Sequence, residues 1–203
     1  MPIKYDQGAS KAITTIIKLE TMYNFNHEGY FQLGIMIIGA LSDTHGHLAR
    51  SRAAIQILLD KGAELLIHSG DIGHENILIE LAALCHPQKI PVYAATGNVD
   101  LYDTDIIDFP AGTGVHVARS HTLTLDGQQV GIIHGDDASA LNTMIRCGTY
   151  HLIFTGHTHI ARDEQLANTR VMNPGAVFRA AQPSVAIFDT SKHAMEIVPL
   201  IYD

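Results

Sequence analysis

Met36-Ile37-Ile38-Gly39-Ala40-Leu41-Ser42-Asp43-Thr44-His45-Gly46-His47 is the stretch on which the reading of this chain turns. Its first half is short, apolar and rich in β-branched residues, which is the pattern of a buried strand rather than a helix. Its second half is polar and begins abruptly at Ser42. Asp43 and His45 stand two apart just beyond the strand, so in extended chain both side chains leave on one side, and a carboxylate oxygen and an imidazole nitrogen can reach one cation.

The same grammar recurs downstream. After the Gly46 turn, Leu48, Ile55, Leu58 and Leu59 mark one face of a helix that ends near Gly62. Glu64 to His68 reads as a strand running into Ser69-Gly70-Asp71, and Ile77, Leu78, Leu81, Ala82 and Cys85 mark a second helix, closed by Pro87. Pro91 to Ala95 is a third strand, ending in Thr96-Gly97-Asn98-Val99-Asp100. Strand, polar turn and helix in alternation imply a largely parallel sheet with ligands at the carboxyl ends of its strands. From about Val115 the rhythm changes. Thr122 to Leu125 and Gln129 to Ile133, joined at Asp126-Gly127, read as a hairpin that ends in His134-Gly135-Asp136. A short helix carries Ala138, Leu141, Met144 and Ile145 inward, and Leu152 to Phe154 is a strand leading to Thr155-Gly156-His157-Thr158-His159. Residues 169–172, 184–188 and 195–199 read as further strands, antiparallel in pattern.

Five strand ends therefore carry polar turns, and together they supply Asp43, His45, Asp71, Asn98, His134, His157 and His159. An isolated histidine is ordinarily a hydrogen-bonded core or surface residue, and an isolated Gly-Asp is a turn. Their order on Gly-rich strand ends lifts this set above that background. Imidazole with carboxylate and no thiolate suits Mn²⁺, Fe²⁺, Zn²⁺, Ni²⁺ or Co²⁺ without distinguishing among them.

With 203 residues, 46% of them apolar, the chain is long enough to bury a core as one domain. Residues 1–33 read as an N-terminal extension, in which Ala9, Ala12, Ile13, Ile16, Leu19 and Tyr23 recur at helical spacing. Residues 34–203 read as a single domain. Cys85 and Cys147 are expected to be buried or half-buried free thiols. No apolar run approaches the roughly 18 residues that cross a bilayer. With no signal-peptide pattern at the start, the expectation is a cytoplasmic protein without a membrane partner. A net charge of −8 disfavours a long nucleic acid bound through a basic surface.

Ser42-Asp43-Thr44-His45-Gly46, Gly70-Asp71, Gly97-Asn98-Val99-Asp100, His134-Gly135, Gly156-His157-Thr158-His159 and the later Asn173-Pro174-Gly175 resemble, in order, the motifs of the calcineurin-like metallophosphoesterases, in particular their compact bacterial and archaeal phosphodiesterase branch. The resemblance spans residue 36 to about residue 190. It implies a four-layer α/β/β/α sandwich of two mixed β-sheets flanked by helices, and a dinuclear metal site. Carried over residue by residue, Asp43, His45, Asp71 and His159 would hold one metal, while Asp71, Asn98, His134 and His157 would hold the other, with Asp71 bridging. The implied activity is hydrolysis of small phosphate diesters by metal-activated hydroxide, with Mn²⁺ as the first expectation. The alternative within the fold is a protein-binding scaffold like the retromer subunit, which has lost its metal ligands.

One departure from the family pattern concerns proton delivery. The position after Gly-Asn, often His in the wider family, is Val99, so the general acid is absent there and His47 is the candidate to replace it. The catalytic set read from the sequence is thus Asp71, Asn98 and His47. Asp100 reads as a residue that orients the Asn98 turn, His68 as a packed neighbour of the site, and Asp136 with Asp137 as an acidic rim. His74 and Arg179 are further candidates to touch phosphate. The expected substrate is a small phosphate ester, and a homodimer through the leader or a sheet edge is the expected assembly, if any.

Overall fold

The computed structural model describes residues 16–18, 36–110, 112–125 and 127–202. The opening strand is present as β2 (Ile37–Leu41), and three parallel strands follow it across one sheet: β3 (Leu65–His68), β4 (Val92–Ala95) and β5 (Val115–Ala118). On the other side of β2 lie the antiparallel strands β11 (Ser184–Asp189) and β12 (Ala194–Pro199), giving the order β12-β11-β2-β3-β4-β5. The second sheet contains β6 (Ser120–Leu125), β7 (Gln128–Ile133), β8 (Tyr150–Phe154), β9 (Arg162–Leu166) and β10 (Thr169–Asn173), with β1 (Ile16–Lys18) at its edge, in the order β1-β6-β7-β8-β10-β9. The predicted hairpin is the antiparallel β6–β7 pair.

Alternation along the strands divides the core into three apolar layers. Ile38 and Ala40, Leu65 and Ile67, and Tyr93 and Ala95 face the other sheet, where they meet Val130, Ile132, Leu152, Phe154 and Met172. Leu66, Val92 and Ala94 point the opposite way and pack under α1 (Leu48–Asp60) and α2 (Glu75–Cys85). Gly39 belongs to that face too. A β-carbon there would lie 3.1 Å from Leu58 Cβ, so the glycine is what lets α1 settle onto β2. Ile133, Ile153 and Val171 cover the outer face of the second sheet beneath α4 (Ala138–Arg146). Helix, sheet, sheet and helix therefore stack in four layers. A short helical turn, α3 (Thr104–Ile107), follows the Asn98 loop.

Three readings of the sequence need correction. The helical stripe of the leader lies mostly outside the described residues, and where it is described, Ile16–Lys18 is a strand in parallel register with β6, Ile16 opposite Thr122. Ile16 and Ile17 are β-branched, and such residues lose side-chain freedom in a helix and fit a pleated edge. Cys147 is exposed rather than buried, because it caps the solvent end of α4. β10 belongs to the second sheet and runs parallel to β8, so only its pairing with β9 is antiparallel. Among the described residues no helix is long and apolar enough to cross a membrane.

Candidate metal centre

The carboxyl ends of β2, β3 and β4 in one sheet and of β7 and β8 in the other open onto the same edge of the sandwich. Each of the seven residues read from the sequence follows one of those ends. Backbone hydrogen bonds tie the turns to one another. Asp43 N–H donates to Gly70 O at 2.9 Å, His45 N–H to Asp71 O at 3.0 Å, Gly156 N–H to His134 O at 2.9 Å, and Phe178 N–H to Asp43 O at 3.2 Å. The turns are tight enough that Asp43, His45, Asp71, His157 and His159 all adopt positive φ, between 44° and 67°. Side chains other than glycine occupy that region at a cost, and such residues cluster where a site dictates the backbone.

Glycines make the room. A β-carbon on Gly97 would fall inside contact distance of Asp71 Oδ1 and Asp71 N and 2.8 Å from His134 Cδ2. One on Gly156 would strike Ser42 Oγ and lie 2.8 Å from Asp43 Oδ2.

Two nests of ligand atoms result. In the first, His159 Nε2 lies 3.2 Å from Asp43 Oδ1 and 3.3 Å from His45 Nε2, and His45 Nε2 lies 3.9 Å from Asp71 Oδ2. In the second, His134 Nε2 lies 3.2 Å from Asp71 Oδ1, and Asp43 completes a group whose ligand atoms are all within 4.8 Å of one another. Asp71 thus turns one oxygen toward each nest. His134 and His159 each spend Nδ1 on a backbone carbonyl, Ser69 O at 2.8 Å and Arg179 O at 3.1 Å. In the neutral ring each Nδ1 therefore carries the proton, and Nε2 turns a lone pair to the site.

Such an arrangement sets acceptor against acceptor. Asp43 Oδ1 and His134 Nε2 are buried and have no hydrogen-bond partner, as are the hydroxyls of Ser42 and Ser69. Burying unpaired carboxylate and imidazole atoms costs several kcal/mol on the order-of-magnitude scale for polar groups, a cost that positive charge between them removes. Ligand atoms about 2.1 Å from one cation lie about 3.0–3.4 Å apart, the spacing of the His159–Asp43, His159–His45 and His134–Asp71 pairs, while His45–Asp71 is wider at 3.9 Å. The residues fit divalent cations.

Ionisation follows the same geometry. Burial pushes the Asp43 carboxyl above its usual value, against the pull of His134 and His159. Burial acts on Asp71 too, but adjacent His134 and the Val99 N–H, 3.2 Å from its Oδ1, outweigh it and hold that carboxyl at about 2. His134 moves upward because Asp71 offsets its burial, whereas His45, where burial dominates, moves downward.

The remaining site residues are placed unevenly. Asn98 and His157 are exposed, and His157 belongs to neither nest, although its ring centroid is 5.2 Å from that of His134; the neighbour of Asn98 is pinned to Asp71. His47 caps α1, its Nδ1 accepting from Arg50 N–H, and its ring packs 4.6 Å from Phe178. It makes no hydrogen bond to either nest among the described residues. His74 caps α2.

Asp100 is fully buried and accepts from Ile72, Gly73 and Gly97 N–H at 2.8–3.0 Å, binding the Asp71 and Asn98 turns together. His68 accepts from Gly70 N–H and donates to Thr44 Oγ1, which donates to Ile72 O; burial keeps the ring neutral, with a pKa of about 3. The acidic rim is only half realised, since Asp136 is paired with Arg119 at 2.6 Å and Asp137 caps α4.

Sequence reasoning did not find the role of Asn173. Its Nδ2 donates to Gly156 O at 2.7 Å and Thr158 Oγ1 at 3.1 Å, and its Oδ1 accepts from Gly175 N–H, so it holds the turn bearing His157 and His159. The signal was Asn before Pro-Gly, a turn former whose side chain bonds nearby backbone. The buried serines were missed as well, although Ser stands at the start of both the β2 and β3 turns.

This fold and this site define a metal-dependent phosphoesterase. The chain belongs to the calcineurin-like phosphoesterase superfamily, whose domain model matches residues 36–193. It is 30% identical over 171 residues to the phosphodiesterase MJ0936 of Methanocaldococcus jannaschii, covering 77% of this chain and 95% of that one. The solved structure of an archaeal phosphodiesterase superposes with a TM-score of 0.73 at 29% identity, over 81% of this chain and all of the other. Vacuolar protein sorting 29 of Cryptosporidium parvum shares the fold alone, at 15% identity and a TM-score of 0.51, over 83% of this chain and 98% of its own.

Proposed function

We propose that the chain hydrolyses small phosphate diesters at a dinuclear site, with Asp43, His45, Asp71 and His159 holding one divalent cation and Asp71, Asn98, His134 and His157 the other. The observation that carries this reading is the division of Asp71, whose Oδ1 faces His134 and whose Oδ2 faces His45, beside buried acceptors without partners. Cations held there supply Lewis acidity that lowers the pKa of a water and neutralises charge developing on the phosphoryl oxygens.

The chain's own residues do the rest. Asp71 would offer an oxygen to each cation and so reduce their mutual repulsion. Ser69 O and Arg179 O fix the tautomers of His134 and His159. Asn98 is a neutral oxygen donor and leaves the site positive enough to hold a phosphate. With Val99 in place of a proton donor, His47 is assigned to protonate the leaving group through Nε2, since Nδ1 is occupied by the helix cap. The assignment implies a preference for leaving groups that need little protonation, such as aryl esters. Mn²⁺ is the proposed metal among the divalent ions that oxygen and imidazole donors accept, Fe²⁺, Zn²⁺, Ni²⁺ and Co²⁺ being the others. The scaffold alternative has no use for two nests of buried, mutually repelling ligand atoms.

The test is metal analysis of the purified protein coupled to hydrolysis of bis(4-nitrophenyl) phosphate in chelator and after adding Mn²⁺. Hydrolysis that tracks about two metal equivalents per chain is expected. A Mn²⁺-loaded protein that leaves the diester intact overturns the proposal.

A further inference from the structure

Two arginines packed against Phe178 have no carboxylate partner among the described residues, in a chain where 21 acidic residues outnumber 13 Lys and Arg. Arg52 pairs with Glu80, Arg119 with Asp136, Arg162 with Glu164 and Arg170 with Asp163, while Arg146, on the far side of the second sheet in α4, is also without a carboxylate partner among the described residues. Arg50 and Arg179 have no such partner among the described residues, and both lie against Phe178, their Cζ atoms 5.3 and 5.8 Å from its ring centroid.

Phe178 itself is part of the site's frame. Its N–H donates to Asp43 O, and the carbonyl of the next residue, Arg179, accepts from His159 Nδ1. The backbone of Phe178 and Arg179 thus joins the segment carrying both guanidinium contacts to the loops of Asp43 and His159, and the Arg179 charge acts on His45.

Helix electrostatics and backbone conformation disfavour both positions. Arg50 is the third residue of α1, where the helix dipole disfavours a cation. Arg179 adopts positive φ, at 59°. Arg50 also stacks on Tyr202, at 4.2 Å, so it is held between two aromatic faces with the donors in its plane left free. A stacked, pre-oriented guanidinium with no internal acceptor is suited to the paired oxygens of a phosphate.

We infer that Arg50 and Arg179 form a subsite for a second phosphate of the substrate, so that the preferred substrate is a phosphodiester bearing a further phosphoryl group on the side of Phe178. The inference rests on the diesterase reading above for the position of the first phosphate. Its competitor is a structural role in which the arginines only cover Phe178 and Tyr202.

Calorimetric titration of the Mn²⁺-loaded protein with thymidine 3′,5′-bisphosphate and with thymidine 5′-monophosphate separates the two, because it needs no turnover. The wild type should bind the bisphosphate at least about 10-fold more tightly, and in R50Q/R179Q that ratio should fall to about 2 or less, with R50K/R179K intermediate because charge remains but the fork is lost. Raising NaCl from about 50 to 300 mM should shrink the wild-type ratio. A wild-type ratio near one, a ratio unmoved in R50Q/R179Q, or no binding of either nucleotide overturns the inference. So does equal weakening of both nucleotides, which would put the arginines on the first phosphate. Failure of the diesterase reading shows separately, as absence of bis(4-nitrophenyl) phosphate hydrolysis by the wild type.

Discussion

Replacing Gly97 with alanine tests whether the site depends on space as much as on ligands. The added methyl would sit 2.8 Å from His134 Cδ2 and closer still to Asp71 Oδ1 and the Asp71 backbone nitrogen. Carbon atoms rest about 3.5–4 Å apart, so relief requires a shift of roughly 1 Å. Asp71 N belongs to the backbone that pairs with the β2 turn, and His134 is fixed through Ser69 O, so the Asp71 carboxylate is what gives way. Overpacking of this kind costs about 1–3 kcal/mol, which at about 2–4 °C per kcal/mol for a domain of this size lowers Tm by roughly 2–12 °C. The larger effect is on function. A carboxylate displaced by its share of that shift no longer presents an oxygen to each nest, and perturbed support of a ligand typically weakens metal binding about 10- to 100-fold. Thermal unfolding of the chelated protein and Mn²⁺ titration by calorimetry measure the two parts. A folded Gly97→Ala protein that binds Mn²⁺ as tightly as the wild type refutes the assignment of Asp71 as the shared ligand.

Burial holds His68 at about 3, below its usual 6.5. The unfolded chain then binds a proton that the native one refuses, so stability is full above pH 6.5 and falls as pH drops toward 3, by about 1.4 kcal/mol per unit from this group; His68→Gln should flatten that part of the Tm profile of the chelated protein, and an unchanged slope refutes it. His47→Asn keeps a cap and removes the ring, so turnover of a diester with an alkyl leaving group should fall at least about 10-fold more than that of its aryl counterpart; parallel losses refute the proton-donor role. Mn²⁺ at about 1,000 times its Kd should stabilise the protein by about 4 kcal/mol, read as a rise in Tm that chelator reverses, and a Tm indifferent to Mn²⁺ removes the metal centre. Asp43→Asn removes a buried charge and can donate from Nδ2 to His159 Nε2, so in chelator it should melt above the wild type by about 1–3 kcal/mol, with the order reversed in Mn²⁺; a lower Tm in chelator contradicts the buried-acceptor account.

The sequence carried the site more clearly than it carried the sheet that holds it. β2, β3 and β4 are buried on both faces, so each reads as a continuous apolar run, and each stops sharply at Ser42, Ser69 or Thr96, where the side chains must turn to chemistry. Those boundaries located three of the five turns at once. β9, by contrast, is Arg-Asp-Glu-Gln-Leu on an exposed edge, with no periodic apolar signal, and it forms because its backbone pairs with β10. The parallel β8–β10 pairing was equally hidden, since partners are chosen by packing across the sandwich rather than by either strand. Asp100 was legible as an Asp beside a turn. That it would gather three N–H groups from two turns was not, because Ile72 and Gly73 approach it only after β3 and β4 pair side by side.

The backbone of the site explains why its ligands sit on loops braced from both sheets. Five of the candidate ligands take positive φ, and each such residue costs on the order of 1–2 kcal/mol. That sum is comparable to the whole stability of an ordinary domain, about 5–15 kcal/mol. Glycine would relieve it at any of these positions but would take a ligand away. Asp and His are enriched among the residues that tolerate this region. The strain is therefore held by the frame: Gly70 O and Asp71 O receive the Asp43 and His45 amides, while Asp43 O receives the Phe178 amide from beyond β10. Asp43 connects the two sheets at this point, since its Oδ2 also accepts from His157 N–H at 3.2 Å. Closing the sandwich and forming the nests are thus the same event, and the acceptors it buries are left facing one another, ready for a cation.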